Sequence, residues 1–123
     1  MKALVIDDST ATRFILSKML REIGCIVTEA ADGVEALQRL KEHPDTNFAL
    51  VDWNMPNMNG LEFVQNARST KEYDQIKLMM VTTEIEMTNV IKALDAGANE
   101  YVMKPFTKDV IAEKLMILGV MPE

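Results

Sequence analysis

Five residues of this chain stand where chemistry could be done. Asp7 and Asp8 follow the apolar run Ala3-Leu4-Val5-Ile6, and Asp52 follows Phe48-Ala49-Leu50-Val51. Thr82 follows Leu78-Met79-Met80-Val81, and Lys104 follows Tyr101-Val102-Met103. If the runs are neighbouring strands, three carboxylates, a hydroxyl and an amine meet at one edge. Carboxylates that close repel one another, and one keeps its proton unless a cation neutralises the group. A hard dication answers that need, and Mg²⁺ binds through few protein carboxylates while keeping several waters. An ionised aspartate beside such an ion can attack phosphorus. Phosphoryl transfer then needs positive charge and hydrogen bonds on the equatorial oxygens, which the metal, Lys104 and the Thr82 hydroxyl can supply. Taken singly, each residue has an ordinary reading. A strand-end aspartate often caps the following turn, and acids such as Asp7 and Asp8 suit a helix start. It is the matching position of all of them that the ordinary reading leaves unexplained.

The elements that must position these groups are legible as short apolar runs at 3–6, 25–27, 48–51, 78–81 and 101–103. Their length suits buried strands, and their lack of alternation predicts a parallel sheet covered on both faces. Helices fall between them. Ser9 or Thr10 caps the first, with Leu16, Met19, Leu20 and Ile23 at helical spacing and Gly24 as its stop. Asp32 and Glu35 form a capping-box-like pair ahead of Leu37 and Leu40, and Asn59 with Glu62 forms another ahead of Val64. Val90, Leu94 and Met87 predict the apolar face of a fourth helix ended by Gly97. Thr107 opens a fifth, with Ile111, Leu115 and Leu118 on one side. The order βαβαβαβαβα predicts an open α/β sheet, in which ligands bind beyond the carboxyl ends of the strands. Four of the five predicted strands deliver a charged or reactive group to that edge, whereas the second ends in Glu29-Ala30. No linker or repeat divides the chain.

Composition removes several classes. The 123 residues fit one domain, and 19 acidic against 13 basic residues leave a net charge of −6. A nucleic-acid binder would carry a basic face instead. The single cysteine, Cys25, permits no internal disulfide or CxxC pair and is expected in the core. The N-terminal apolar run is too short for a signal peptide, and no stretch approaches the ~20 apolar residues of a membrane span. The expected location is the cytoplasm, with no membrane and no nucleic acid among its partners.

The stretches "IDDS", "VDWNMPNMNGLEF", "MVTTE" and "YVMKPF" together resemble the receiver domains of response regulators, and within them the CheY-like chemotaxis regulators. The resemblance spans essentially the whole chain. It implies a flavodoxin-like fold, a doubly wound five-stranded parallel sheet in the order 2-1-3-4-5 with five helices. It also implies one receiver domain over residues 1–123 without an output domain, expected to be monomeric. Asp52 then accepts the phosphoryl group. The Asp8 and Asp52 side chains and the Asn54 main-chain carbonyl ligate Mg²⁺, and Asp7 acts mainly through water. Lys104, joined to Pro105 by a cis bond, contacts the phosphoryl oxygens. Thr82 moves toward them and Tyr101 turns inward behind it. Asn54, Thr83 and Glu84 tune hydrolysis. The fourth helix, fifth strand and fifth helix, with Val90, Tyr101 and Lys114, form the partner face. Pro56 stiffens the loop after Asp52, Gly60 lets it enter the third helix tightly, and Trp53 reports on the site.

The partners implied are a sensor histidine kinase of the chemotaxis type and a flagellar motor switch protein. A phosphorelay shuttle or phosphate sink in another pathway is the alternative. The chain departs from the CheY pattern at Thr83, where a smaller side chain is usual, and at Glu86 and Met87, where that helix tends to be basic. Ser9 and Lys18 also differ, so no dedicated phosphatase is implied. Met55 and Met58 flank Pro56 and are expected to form a small partner surface, while His43 is expected in solvent with no relay role. A haloacid-dehalogenase-type hydrolase would need an acid two residues after Asp52, where Asn54 stands. A flavodoxin-like flavin binder would need a hydroxyl- and glycine-rich loop in place of "DDST".

Overall fold

The computed structural model describes residues 1–83 and 87–120. Five parallel strands, β1 (Lys2–Ile6), β2 (Ile26–Ala30), β3 (Phe48–Asp52), β4 (Lys77–Thr82) and β5 (Glu100–Met103), lie in the order β2-β1-β3-β4-β5. Between and after them run α1 (Thr10–Ile23), α2 (Gly33–Glu42), α3 (Gly60–Arg68), α4 (Met87–Ala96) and α5 (Lys108–Leu118), with one 3₁₀ turn at Lys71–Tyr73. The expected order of strands is therefore present. One core cluster lies under α2, α3 and α4 around Leu4, Ile6, Val51, Phe63 and Leu78, and the other under α1 and α5 around Val5, Leu50, Met79, Ile111 and Leu115.

Coverage on both faces holds for the central strands. All five residues of β3 are buried. The edge strand β2 is only partly buried along most of its length. It also runs past the predicted apolar stretch to Ala30, because backbone pairing with β1 continues to Ile6↔Ala30 regardless of side-chain polarity. Cys25 just precedes it and is buried, as expected.

The helix starts follow the predicted signals. Ser9 Oγ accepts from Thr12 N, and the Thr107 hydroxyl accepts from Val110 N. Asn59 and Glu62 form the full reciprocal capping box. At α2 only half of the box exists. Asp32 accepts from Glu35 N, but the Glu35 side chain turns to Arg39 at 3.4 Å. The fourth helix departs from expectation. It rests on the sheet through the small Ala93, while Leu94 stays 44% exposed and Val90 half-buried. A small residue at the contact lets the helix approach closely, and periodicity weighted toward large side chains points elsewhere. The Met87 side chain of that expected face lies outside the described residues.

Arg68, at the C-terminus of α3, was not singled out by any motif. Its guanidinium donates to the carbonyls of Gly97 (2.9 Å), Tyr73 (2.7 Å) and Ile76 (2.6 Å) and to Asn99 Oδ1 (2.9 Å). It thereby ties α3 to the loops on either side of β4 and α4. Arg68→Ala is expected to lower unfolding free energy by about 2–3 kcal/mol in urea titrations, since several buried acceptors lose a charged donor. Lysine will recover little of this, because it lacks the planar fork.

Candidate functional site

The register of the sheet builds the site. Asp52 is the last residue of β3 and sits opposite Val81, so Thr82 lies one step beyond it on the next strand. Thr82 in turn sits opposite Met103, and the Thr82 carbonyl accepts from Lys104 N at 2.7 Å. On the other side Ile6 pairs with Val51, which brings Asp7 level with Asp52. The Asp7 backbone is held by its own N–H to Ala30 O at 3.1 Å.

Three carboxylates converge here. One oxygen from each of Asp7, Asp8 and Asp52 lies within 4.8 Å of the others. Asp7 is 1% exposed and Asp52 8%, whereas Asp8 faces solvent. Lys104 Nζ stands 3.2 Å from Asp7 Oδ2 and 3.5 Å from Asp52 Oδ1. The second Asp7 oxygen accepts from Ser9 N at 2.8 Å. Burial above all, and then the Asp7 charge, push the Asp52 carboxyl up to about 6, against the pull of Lys104. The pocket therefore holds more negative charge than its one ammonium offsets. An all-oxygen donor set with surplus charge suits a hard dication, so Asp7, Asp8 and Asp52 fit Mg²⁺ chemically.

The remaining expected residues fall into groups. Asn54 is exposed and lines an open cleft with Asp8, Met55, Pro56 and Asn59, so it borders the acidic cluster. Thr83 follows β4 and is exposed, while Glu84 and Glu86 lie outside the described residues. Trp53, Thr82, Val90 and Tyr101 share a small apolar pocket between α4 and β5. Lys114 does not reach the carboxylates. It pairs with Glu100 at 3.3 Å and lies 5.5 Å from the centre of the Tyr101 ring. The Lys104–Pro105 bond is cis. His43 ends α2 and borders a pocket with Lys2 at the opposite end of the strands, far from the carboxylates.

One expectation needs amendment, and one residue at the site carries no sequence signal. Met55 and Met58 pack half-buried against the core under α2 and α3, so only part of each side chain is left open to a partner. The Met58 carbonyl accepts from Gly33 N at 3.2 Å. The residue without a sequence signal is Arg13. Its Nη1 donates to the Asp7 carbonyl at 2.6 Å, and its Nε to Glu29 Oε1 at 3.2 Å. A side-chain bond to a main-chain carbonyl leaves no periodic mark in a sequence.

Gly60 shows why the loop after Asp52 must be tight. A Cβ there would overlap the Asp52 carbonyl oxygen and lie 3.0 Å from Trp53 Cα. Gly60 N instead donates to Trp53 O at 3.0 Å.

Comparison with known proteins agrees with this geometry. The family model of the response regulator receiver domain matches residues 3–116. The chain belongs to that family. It is 46% identical over 121 residues to the chemotaxis protein CheY1 of Helicobacter pylori, covering 97% of this chain and 98% of that protein. The structure of Vibrio cholerae CheY4 superposes with a TM-score of 0.90 at 32% identity, over 95% of this chain and 97% of the other. CheY of Borrelia burgdorferi, solved in a complex with CheX, BeF₃ and Mg²⁺, gives 0.89 at 25% identity over 98% and 90%. The protein is thus a CheY-like receiver of two-component signalling. None of its described helices is long and apolar enough to cross a membrane.

Proposed function

We propose that this receiver acts as a single-domain phospho-switch in the cytoplasm. Asp52 would take its phosphoryl group from the phosphohistidine of a chemotaxis-type sensor kinase. The observation that carries this reading is the convergence of Asp7, Asp8 and Asp52 around Lys104 at one strand edge. In the transfer an Asp52 oxygen forms the bond to phosphorus as the phosphorus–nitrogen bond breaks. The imidazole leaves with that electron pair. Asp8 and Asp52 would hold Mg²⁺ with the Asn54 carbonyl, and Asp7 through water. The ion would supply charge neutralisation on the phosphoryl oxygens. Lys104 carries its own positive charge to those oxygens, and the Thr82 hydroxyl donates to another. Asn54, Thr83 and Glu84 would tune the hydrolysis of the phosphoryl group and so its lifetime. The face made by α4, β5 and α5, with Val90, Tyr101 and Lys114, then changes its affinity for a partner. The name of the 46% identical relative, a chemotaxis protein, favours chemotaxis as the pathway, and the flagellar motor is then the proposed output. A phosphorelay shuttle or sink is the second reading, and binding to a motor-switch peptide with and without phosphorylation separates the two.

The test uses Trp53, half-buried beside Asp52. Its fluorescence is expected to change on Mg²⁺ addition and again with acetyl phosphate or beryllofluoride. In Asp52→Asn the second change should vanish. A wild-type protein that binds Mg²⁺ but ignores both phosphoryl reagents would defeat the proposal.

A further inference from the structure

The loop that borders the acidic cluster is not free-standing. Asn57, two residues before the α3 cap, has φ +65°, the one non-glycine residue with positive φ among those described. Asparagine tolerates this region better than most residues, but it still costs free energy and persists only where the surroundings enforce it. Here the enforcing contact is visible. Asn57 Nδ2 donates to Asp32 Oδ2 at 2.8 Å. The other oxygen of the same carboxylate, Oδ1, caps α2 by accepting from Glu35 N at 2.8 Å. One residue further on each side, Gly33 N donates to Met58 O at 3.2 Å. The two segments meet so closely that a Cβ on Gly33 would lie 2.7 Å from Met58 Cγ and 2.9 Å from Met58 O.

The geometry points to Asp32 and Asn57 as positioning residues for cation binding. Together they form a clasp between the start of α2 and the loop 53–59, fixing the loop wall that faces Asp8. This rests on the functional reading above, since the cation in question is the one Asp7, Asp8 and Asp52 would hold. Asp32 is not among the carboxylates that come within reach of one another at the cluster, which are Asp7, Asp8 and Asp52 among the described residues, and it acts only through the loop. The physical basis is preorganisation. The loop's left-handed turn is held in place before the ion arrives, so its ordering does not have to be met from binding free energy. Partners behind metal ligands commonly change metal affinity 10–100-fold when removed. A clasp acting on a loop rather than on a ligand side chain should fall at the low end, roughly tenfold.

The split roles of the Asp32 oxygens make the test selective. Asp32→Ser keeps a helix cap but cannot reach Asn57. Asn57→Gly keeps the backbone conformation free of strain, loses the bond and changes no charge. Mg²⁺ is titrated into wild type, Asp32→Ser and Asn57→Gly while Trp53 fluorescence is followed, and thermal unfolding is recorded without metal. The expected result is a Mg²⁺ dissociation constant raised roughly tenfold in both variants, with metal-free melting temperatures close to wild type. Weakening in Asp32→Ser alone would assign the effect to the lost charge and overturn the clasp. Wild-type affinity in both variants would overturn it too, and would leave the functional reading intact. A wild-type protein that gives no Mg²⁺ response would overturn the functional reading and the clasp with it.

Discussion

Asp52→Asn is expected to stabilise the metal-free protein at neutral pH, by about 2–3 kcal/mol at 1.36 kcal/mol per pKa unit. The carboxyl of Asp52 titrates at about 6 in the fold instead of 3.8, chiefly because it is buried and secondly because Asp7 is beside it. The folded state therefore binds its proton more tightly than the unfolded chain does. Below pH 3.8 both states are protonated and the residue costs nothing. Between 3.8 and about 6 the unfolded chain has lost its proton and the folded protein has not, so stability falls as pH rises. Above about 6 the cost is complete and constant. Asparagine carries no charge and escapes it. Urea unfolding in EDTA across this range should show the variant pulling ahead of wild type with rising pH and then holding its lead. Saturating Mg²⁺ should reverse the order, since a ligand that binds only the folded state stabilises it by mass action and the variant lacks one carboxylate. A variant that is less stable than wild type without metal at every pH would mean that Lys104 outweighs burial.

That instability is also why the site is legible from sequence. A carboxylate at the end of a wholly buried strand makes no sense for folding alone, so Asp52 signals itself against Phe48–Val51. Asp7, Thr82 and Lys104 do the same at the ends of their own runs, and parallel pairing does the rest. What sequence does not carry is any contact made by a long side chain to a main-chain carbonyl. Arg68 and Arg13 act in this way, and neither has a fixed spacing to its acceptors. The Asp32–Asn57 bond joins residues 25 apart, and Asp32 reads from sequence as a helix cap and nothing more. The fourth helix misled for a different reason. Its contact residue, Ala93, is small, and apolar periodicity weights large side chains such as Leu94. Edge strand β2 is extended by backbone pairing that polar Thr28 and Glu29 do not advertise.

Gly60→Ala is expected to cost about 3 kcal/mol or more, at or above the top of the usual range for overpacking. Propensity alone predicts the opposite. Gly60 opens α3, its φ is not in the left-handed region, and alanine in a helix is worth about 1 kcal/mol over glycine. The steric term decides the sign. The new Cβ would overlap the Asp52 carbonyl oxygen and come within 2.9 Å of Met80 Cε and 3.0 Å of Trp53 Cα. Met80 can swing aside, but the other two atoms are main chain in and beside a fully buried strand. Either α3 retreats and its N–H bond to the Trp53 carbonyl breaks, or the end of β3 moves and takes the Asp52 carboxylate with it. Gly119 is the control. It has φ +75° and nothing within 4 Å of a Cβ, so alanine there meets only the left-handed penalty of roughly 1–2 kcal/mol. Urea unfolding should rank Gly60→Ala well below Gly119→Ala. Trp53 fluorescence should also shift in Gly60→Ala before any metal is added, and Mg²⁺ should bind more weakly. If the two variants unfold alike and Trp53 is unmoved, α3 does not approach β3 this closely. The loop carrying Asn54 would then need some other support than Gly60 to stay beside Asp52.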